Sequence, residues 1–390
     1  MDAKYDFIEA ELERRRSMHQ LRHLRTVTPL SGAEVLLNGR QAINFSSNDY
    51  LGLASHPRLQ QAAIESLQAC GTGATASRST CGSHPGFERV EEKLAALKGF
   101  PKALVLNSGF QANISLLPLL ADRHSLLLAD RLNHSSLIQG AVLSQCKMQR
   151  YRHSDLEHLR QLLEKNQAGA QARTLIVTES VFSMDGDSSD VDALIRLADE
   201  FQALLVVDEA HATGVLGPHG MGLTCGKAVD LVIGTFGKAC GSFGAYIACS
   251  ESMWEYILNC CAGFVYSTAL PAAVIGAAEA ALELIPQMDE ERAQLHARAD
   301  LLRHTLWAQG WSTCLSTTQI IPVLVGDEQE ALELSAWLEE KGVLAMAIRP
   351  PTVAPGQARI RLGLSALHTR EHIETLAALF GQWRQRRPRG

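Results

Sequence analysis

The chain has 390 residues, 46% hydrophobic and 20% charged, a globular composition too long for one small domain. Lys and Arg total 36 against 42 Asp and Glu, a net charge of −6, so the basic excess of a nucleic-acid binder is missing. A membrane span needs about 18 or more apolar residues in a row, and the apolar run at 270–284 is broken by Pro271, Glu279 and Glu283.

Residues 1–25 read as a basic amphipathic helix. Phe7, Ile8, Leu12, Met18, Leu21 and Leu24 recur at roughly helical spacing, and Arg14, Arg15, Arg16, Arg22 and Arg25 form the charged side. The charged start has no apolar h-region, so it is not a secretory signal. Short apolar runs at 103–106, 125–128, 174–178, 204–207, 231–233 and 245–249 read as buried strands. Helical patterns at 87–98, 156–165 and 192–201 lie between them, which predicts parallel βαβ units in a doubly covered sheet. Beyond Pro286 the texture changes. Helices near 290–308 and 328–341 alternate with strands near 320–325, 343–348 and 358–362, and a helix near 370–385 closes the chain. The fold class expected is α/β: a large domain with a mostly parallel sheet and a smaller α+β C-terminal domain. The boundaries are a segment 1–45, a large domain 46–285 and a small domain 286–390. The basic tail 384–390 reads as frayed. Nine cysteines, scattered and without a C-x-x-C pair, fit a reducing cytoplasm and read as small buried hydrophobes. They suggest no metal site.

Several motifs fail on context. Gly71-Thr-Gly-Ala-Thr-Ala76 matches G-x-G-x-x-A with Glu91 downstream, yet residues 60–70 read as a helix where a dinucleotide fingerprint needs a strand. Asp208-Glu209-Ala210-His211 spells a helicase box without any phosphate loop to serve it. No G-x-S-x-G is present for a hydrolase elbow.

One constellation survives. The run 204–208 ends in an acid at a strand tip, where α/β folds bind ligands. His211 follows in a glycine-containing turn. The run 231–234 leads into Thr235-Phe-Gly-Lys238-Ala-Cys-Gly241, which places a lysine among small residues just past a buried strand. A lysine desolvated there suits Schiff-base chemistry, and an acid, a histidine and a lysine so placed can hold pyridoxal phosphate (PLP). On spacing alone the alternative stays open: a loop-capping Asp, a core His and a half-exposed Lys.

The chain resembles the α-oxoamine synthases, PLP enzymes of the aspartate-aminotransferase (type I) fold. The matching blocks run nearly end to end: Asn44-Phe-Ser-Ser-Asn48-Asp-Tyr-Leu-Gly-Leu53, Asn107-Ser-Gly-Phe110, Asp130-Arg-Leu-Asn-His134, Glu179-Ser-Val-Phe-Ser183-Met-Asp-Gly-Asp187, Val207-Asp-Glu-Ala-His211-Ala-Thr-Gly214, Thr235-Phe-Gly-Lys238, Tyr266-Ser-Thr268 and Ile348-Arg-Pro-Pro-Thr-Val353. With Ala358-Arg-Ile-Arg361, the last block points to the family's biotin-pathway branch.

The resemblance implies roles residue by residue. Lys238 carries the cofactor and later acts as acid and base at the substrate Cα. Asp208 keeps the ring nitrogen protonated, His134 stacks on the ring, and His211 and Ser183 bond its hydroxyl. Thr235 and the backbone of Gly109 and Phe110 hold the phosphate, which Thr268 reaches from a neighbouring subunit. That makes a homodimer with the active site at the interface. Asn48 and Arg361 bind the amino-acid carboxylate, with Arg349 sharing that role. Arg22 and Thr352 line the acyl-chain site. The implied reaction is a decarboxylating Claisen condensation of L-alanine with a pimeloyl thioester, borne by CoA or a carrier protein. The alternative is a sister synthase using glycine or another acyl-CoA. Ser77 stands where the aminolevulinate makers carry threonine, leaving room for alanine's methyl. One departure is Phe87, where the family usually has a histidine.

Overall fold

The structure is a computed structural model that describes residues 3–167 and 173–386. It divides into two compact units. One spans Asn48–Ser183 and Asp187–Ala293; the other takes the chain up to Ser47, Met184–Gly186 and the chain from Gln294 on.

The Asn48–Ala293 unit is built on a seven-stranded sheet. Its strands run in the order Lys102–Leu106, Ala245–Cys249, Leu231–Thr235, Leu204–Asp208, Thr174–Glu179, Leu126–Asp130 and Lys147–Tyr151. The last five are mutually parallel. Alternate side chains feed opposite layers. Val206 and Leu127 join the core under Gly109–Leu120, Ser135–Leu143 and Glu251–Cys260, while Leu205, Val207, Leu126 and Leu128 join the core under Leu156–Gln167 and Val191–Glu200. A strand apolar on both faces is stable only when both are covered, hence the unbroken runs of Leu, Val and Ile. Each fully buried leucine contributes about 2 kcal/mol.

Two expectations about this sheet need correction. Ala245–Cys249 is antiparallel to both neighbours, an orientation that a continuous apolar run does not encode. Lys147–Tyr151 is a strand the apolar pattern misses, because at the sheet edge most of its side chains stay partly exposed. Gly234 faces Tyr246 across the antiparallel pair, and a Cβ there would stand 2.2 Å from the phenol ring. The four inner parallel strands end in Asp130, Glu179, Asp208 and Thr235, with Glu179 in register with Asp208. That polar edge is the foundation of the candidate site.

The second unit holds two small sheets. One is antiparallel: Ile320–Gly326, Ala358–Gly363 and Met346–Ile348. The other joins Val27–Pro29, Glu34–Leu37, Arg40–Asn44 and Val343–Leu344. The single strand expected at 343–348 is therefore two strands serving two sheets. Trp337 and Trp383 pack Glu328–Glu340 against Arg370–Arg386 with ring centroids 5.4 Å apart. The expected tail 384–390 begins inside this last helix, and residues 387–390 lie outside the described residues.

The helix expected over 1–25 is shorter. It covers Asp6–Ser17 and has no buried residue. His19 turns left-handed at φ 53°, and the Gln20 N–H returns to the Arg15 carbonyl at 2.8 Å, a helix-ending arrangement that releases the following residues. The cysteines also differ from expectation. Cys240, Cys249 and Cys261 are buried, but Cys70, Cys81 and Cys260 are exposed. No described helix is long and apolar enough to cross a membrane.

Candidate active site

The Lys238 Nζ lies 2.7 Å from His211 Nε2. His211 Nδ1 is 2.6 Å from the Tyr50 hydroxyl, which also bonds Asn48 Oδ1 at 3.0 Å. Lys238 follows the strand Leu231–Thr235 through a tight turn, with the Gly237 N–H donating to Thr235 Oγ1 at 3.0 Å. His211 follows the strand Leu204–Asp208 by three residues. Adjacent parallel strands thus bring the two side chains together, and Tyr50 arrives from a distant stretch to fix the imidazole. Lys238 is half-buried and His211 buried.

Asp208 ends its strand, buried. Its Oδ1 accepts the Ala210 N–H at 2.9 Å and its Oδ2 accepts from Asn113 Nδ2 at 2.9 Å. Asn113 Nδ2 also donates to Ser136 Oγ, which lies 2.7 Å from His134 Nδ1. His134 caps the helix Ser135–Leu143, and its own N–H donates to Glu179 Oε1 at 2.5 Å. Burial, reinforced by Lys238 and opposed by Asp208, pulls the His134 imidazole below its ordinary range, so the ring is neutral at pH 7. Burial beside Asp208 pushes the Glu179 carboxyl up to about 8. The nearby Lys238 charge and the bond from the His134 N–H only partly offset that rise.

Ser108 caps the helix Gly109–Leu120 by accepting the Gln111 N–H at 3.2 Å. The first turn of a helix leaves N–H groups without intrahelical partners, a ready anion site. Space is open there: a Cβ added at Gly109 would meet nothing within 4 Å, and Phe110 is exposed. Thr235 Oγ1 donates to the Gly244 carbonyl at 2.8 Å. Thr268 pairs with Ser77 in an isolated antiparallel bridge, and its carbonyl accepts from Asn107 at 2.7 Å. Ser183 is buried in the turn closed by the Val181–Ser188 bridge. The dinucleotide fingerprint fails as expected, since Gly71 ends the helix Pro57–Cys70 and no strand precedes it. Phe87, the departure from the family pattern, is fully buried with the Arg78 guanidinium 4.2 Å from its ring centroid. Arg78 also pairs with Glu91.

Behind the site, Lys98 and Glu209 form an ion pair at 2.7 Å with both side chains fully buried. Lys98 also donates to the Met221 carbonyl at 2.6 Å, and Glu209 accepts from the Thr224 N–H and hydroxyl. Glu209 follows Asp208, so this pair fixes the backbone leading to His211.

The remaining predicted residues belong to the second unit. A cavity of about 700 Å³ is lined by Arg22, Arg349, Thr352 and apolar Leu21, Leu332 and Ile348. Arg22 Nη2 reaches Thr352 Oγ1 at 3.5 Å, and Arg349 donates to the His19 carbonyl. Burial, with the nearby Arg22 charge, lowers the Arg349 guanidinium from its ordinary range. Arg361 is buried in the central strand Ala358–Gly363 of the antiparallel sheet.

The family pattern described as aminotransferase class I and II matches residues 40–380. The chain belongs to that family. A protein of Desulfosudis oleivorans named putative 8-amino-7-oxononanoate synthase is 57% identical over 98% of this chain and 100% of its own length. The 8-amino-7-oxononanoate synthase of Gluconacetobacter diazotrophicus is 48% identical over 87% of each chain. Among solved structures, a lysine-to-alanine variant of the serine palmitoyltransferase of S. paucimobilis with a bound PLP–myriocin aldimine superposes with a TM-score of 0.91 at 25% identity, covering 98% of each chain. This member of the aminotransferase class I and II family is a PLP-dependent enzyme of the type I fold. The donor set suits that cofactor: a half-buried amine, a buried carboxylate at a strand tip, a neutral imidazole face and an open helix N-terminus.

Sequence reasoning gave no role to Tyr50, Asn113, Ser136, Glu179 or Glu209, though all but Asn113 and Ser136 lie in the motif blocks. An acid at each strand end was the available signal for Glu179. Nothing in the local pattern marks Asn113, which reaches Asp208 from 95 residues away.

Proposed function

We propose that this enzyme condenses L-alanine with a pimeloyl thioester, releasing carbon dioxide and the free thiol to give 8-amino-7-oxononanoate for biotin synthesis. The Lys238–His211 contact at 2.7 Å, on the same sheet edge as Asp208, carries the reading. The relatives' names at up to 57% identity support the branch.

When bound, PLP supplies an electron sink that makes the amino-acid Cα proton removable. Lys238 would hold it and later take and return that proton at Nζ, with His211 Nε2 close enough to share it. Tyr50 sets which nitrogen of His211 carries hydrogen. Asp208, oriented by Asn113 and the Ala210 N–H, would keep the pyridine nitrogen protonated. His134 presents an uncharged face to the ring, and His211 and Ser183 would bond its hydroxyl. The Gly109 and Phe110 N–H groups and Thr235 would take the phosphate, with Thr268 serving the site of a second subunit in a homodimer. Asn48 and Arg361 would bind the alanine carboxylate, the guanidinium in bidentate fashion. Ser77 leaves space for the methyl. The cavity with Arg22, Arg349 and Thr352 offers a cationic end and apolar walls, which suits an acyl chain ending in a carboxylate. CoA or a carrier protein would bear that chain. Nine cysteines free of disulfides suit a reducing cytoplasm.

The second reading is a sister synthase acting on glycine or an uncharged acyl-CoA. The serine palmitoyltransferase likeness favours it, but at 25% identity against 57% it weighs less.

The test is thiol release from PLP-loaded enzyme given L-alanine or glycine with pimeloyl-CoA or palmitoyl-CoA. Release with alanine and pimeloyl-CoA, lost in Lys238→Ala, is expected. Turnover of palmitoyl-CoA alone would overturn the proposal.

A further inference from the structure

His153 stands just beyond the edge strand Lys147–Tyr151, and both its ring nitrogens face carboxylates. Nδ1 lies 3.0 Å from Asp130 Oδ1 and Nε2 2.7 Å from Asp187 Oδ2. An ionised carboxylate only accepts, and a neutral imidazole donates from one nitrogen alone. Both bonds are made together only by the imidazolium.

The two carboxylates belong to different loops. Asp130 ends the strand Leu126–Asp130. Its Oδ1 also accepts the Leu132 N–H at 2.8 Å and its Oδ2 the Ser154 N–H at 2.9 Å, so it shapes the turn that delivers His134. Asp187 closes the turn that carries Ser183, where its carbonyl accepts the Phe182 N–H at 3.0 Å. Phe182 sets its ring perpendicular to His153 at 4.4 Å. Both acids are buried, and Asp187 Oδ1 has no hydrogen-bond partner among the described residues, which leaves His153 as the tie on that side chain.

We propose that His153, as an imidazolium, is a positioning residue that staples the turn presenting His134 to the turn carrying Ser183 and thereby sets the affinity for PLP. This rests on the reading that His134 and Ser183 touch the cofactor. Burial by itself would lower the His153 ring, but the hydrogen bonds and charges of Asp130 and Asp187 outweigh it and hold it up at about 10. The other groups nearby do not compete. Tyr151 is buried with its phenol raised by burial and by Asp130, and Arg152 turns away to pair with Asp155 at 2.7 Å. Since the folded value lies above that of the free imidazole, the staple adds its full stability below pH 6.5, the folded ring is still charged at pH 7, and the staple is lost as pH rises through about 10.

The test is equilibrium dialysis of PLP against the apoprotein from pH 7 to 10.5, with circular dichroism to confirm folding. Outer partners of metal ligands tune metal affinity by about 10–100-fold, and the lower end of that range is the scale expected for a partner one step removed from PLP. His153→Gln, a neutral side chain with donors on one nitrogen only, is expected to weaken PLP binding about tenfold at pH 7. It should also lose the part of the alkaline fall that wild type shows beyond pH 9. His153→Arg keeps a fixed charge and donates from more than one nitrogen. It is expected to restore most of the affinity and to flatten the alkaline fall. Folded His153→Gln protein with wild-type affinity at every pH overturns the staple. So does His153→Arg protein that binds as weakly as His153→Gln. His134→Ala tests the underlying reading separately: unchanged PLP affinity there would sink the contact between His134 and the cofactor, and the staple with it.

Discussion

The sheet edge of the first unit and the cavity of the second handle charge in opposite ways. At the sheet edge every acid meets a protein donor: Asp208 has Asn113 and the Ala210 N–H, Glu179 the His134 N–H, and Asp130 and Asp187 share His153. In the cavity of the second unit, the described bonds of Arg22 and Arg349 end on a hydroxyl and a carbonyl, neither of them charged. The first region is preorganised by its own hydrogen bonds, so its dipoles are set in advance of any ligand. In the second, the Arg22 charge acts on Arg349 more strongly than the nearby Glu328 carboxylate does.

The largest expected break falls behind the sheet edge. Lys98→Met strands the Glu209 charge in the interior and should cost about 3–5 kcal/mol in chemical denaturation. Lys98→Met combined with Glu209→Leu removes both charges and should cost less than the single change. A single variant within error of wild type would show that the pair is not what holds the Asp208–His211 backbone.

Next come the arginines. Arg22→Met and Arg349→Met should raise KM for pimeloyl-CoA about 10–100-fold, because a charge-assisted pair with the chain's carboxylate is lost. An uncharged acyl-CoA of equal length should be nearly unaffected. Equal losses on both thioesters would remove the cavity from substrate selection.

The smallest effect falls on Glu179. Glu179 is held near 8 by burial and by Asp208, so the unfolded chain releases this proton at lower pH than the folded one. Its contribution to stability therefore falls as pH rises from about 4.5 to about 8. Glu179→Gln can still accept from the His134 N–H and does not titrate. The apo-variant should gain about 1–3 kcal/mol on wild type between pH 5 and pH 9. A difference between the two chains that stays constant with pH would contradict this assignment.

The strands that build the sheet edge were legible because burial on both faces demands continuous apolar runs, and the runs 174–178 and 204–207 each stop at an acid that proves to be the strand end. Strands covered on one side escaped notice. Glu34–Leu37 and Arg40–Asn44 carry Glu34 and Gln41 on one face, with Arg40 exposed at the start of its strand, and Lys147–Tyr151 is polar because it is an edge. Strand direction left no trace either, since Ala245–Cys249 reads like its parallel neighbours and runs against them. Within the site, Lys238, Asp208 and His211 stood out because a charged residue beside glycines at a strand end has few other reasons to be there. Tyr50, Asn113 and His153 did not. Their roles depend on contacts 161, 95 and 34 residues away, which only the fold brings together.

The central claim is that Lys238 holds the cofactor at the edge of the sheet. Borohydride reduction of the PLP-loaded enzyme, followed by peptide mass mapping, reads this directly, because reduction fixes a pyridoxyl group on the lysine that holds it. The account predicts the added mass on the peptide containing Lys238 and none on Lys98, Lys102 or Lys227. A pyridoxyl group found on any other lysine, with Lys238 unmodified, would contradict it.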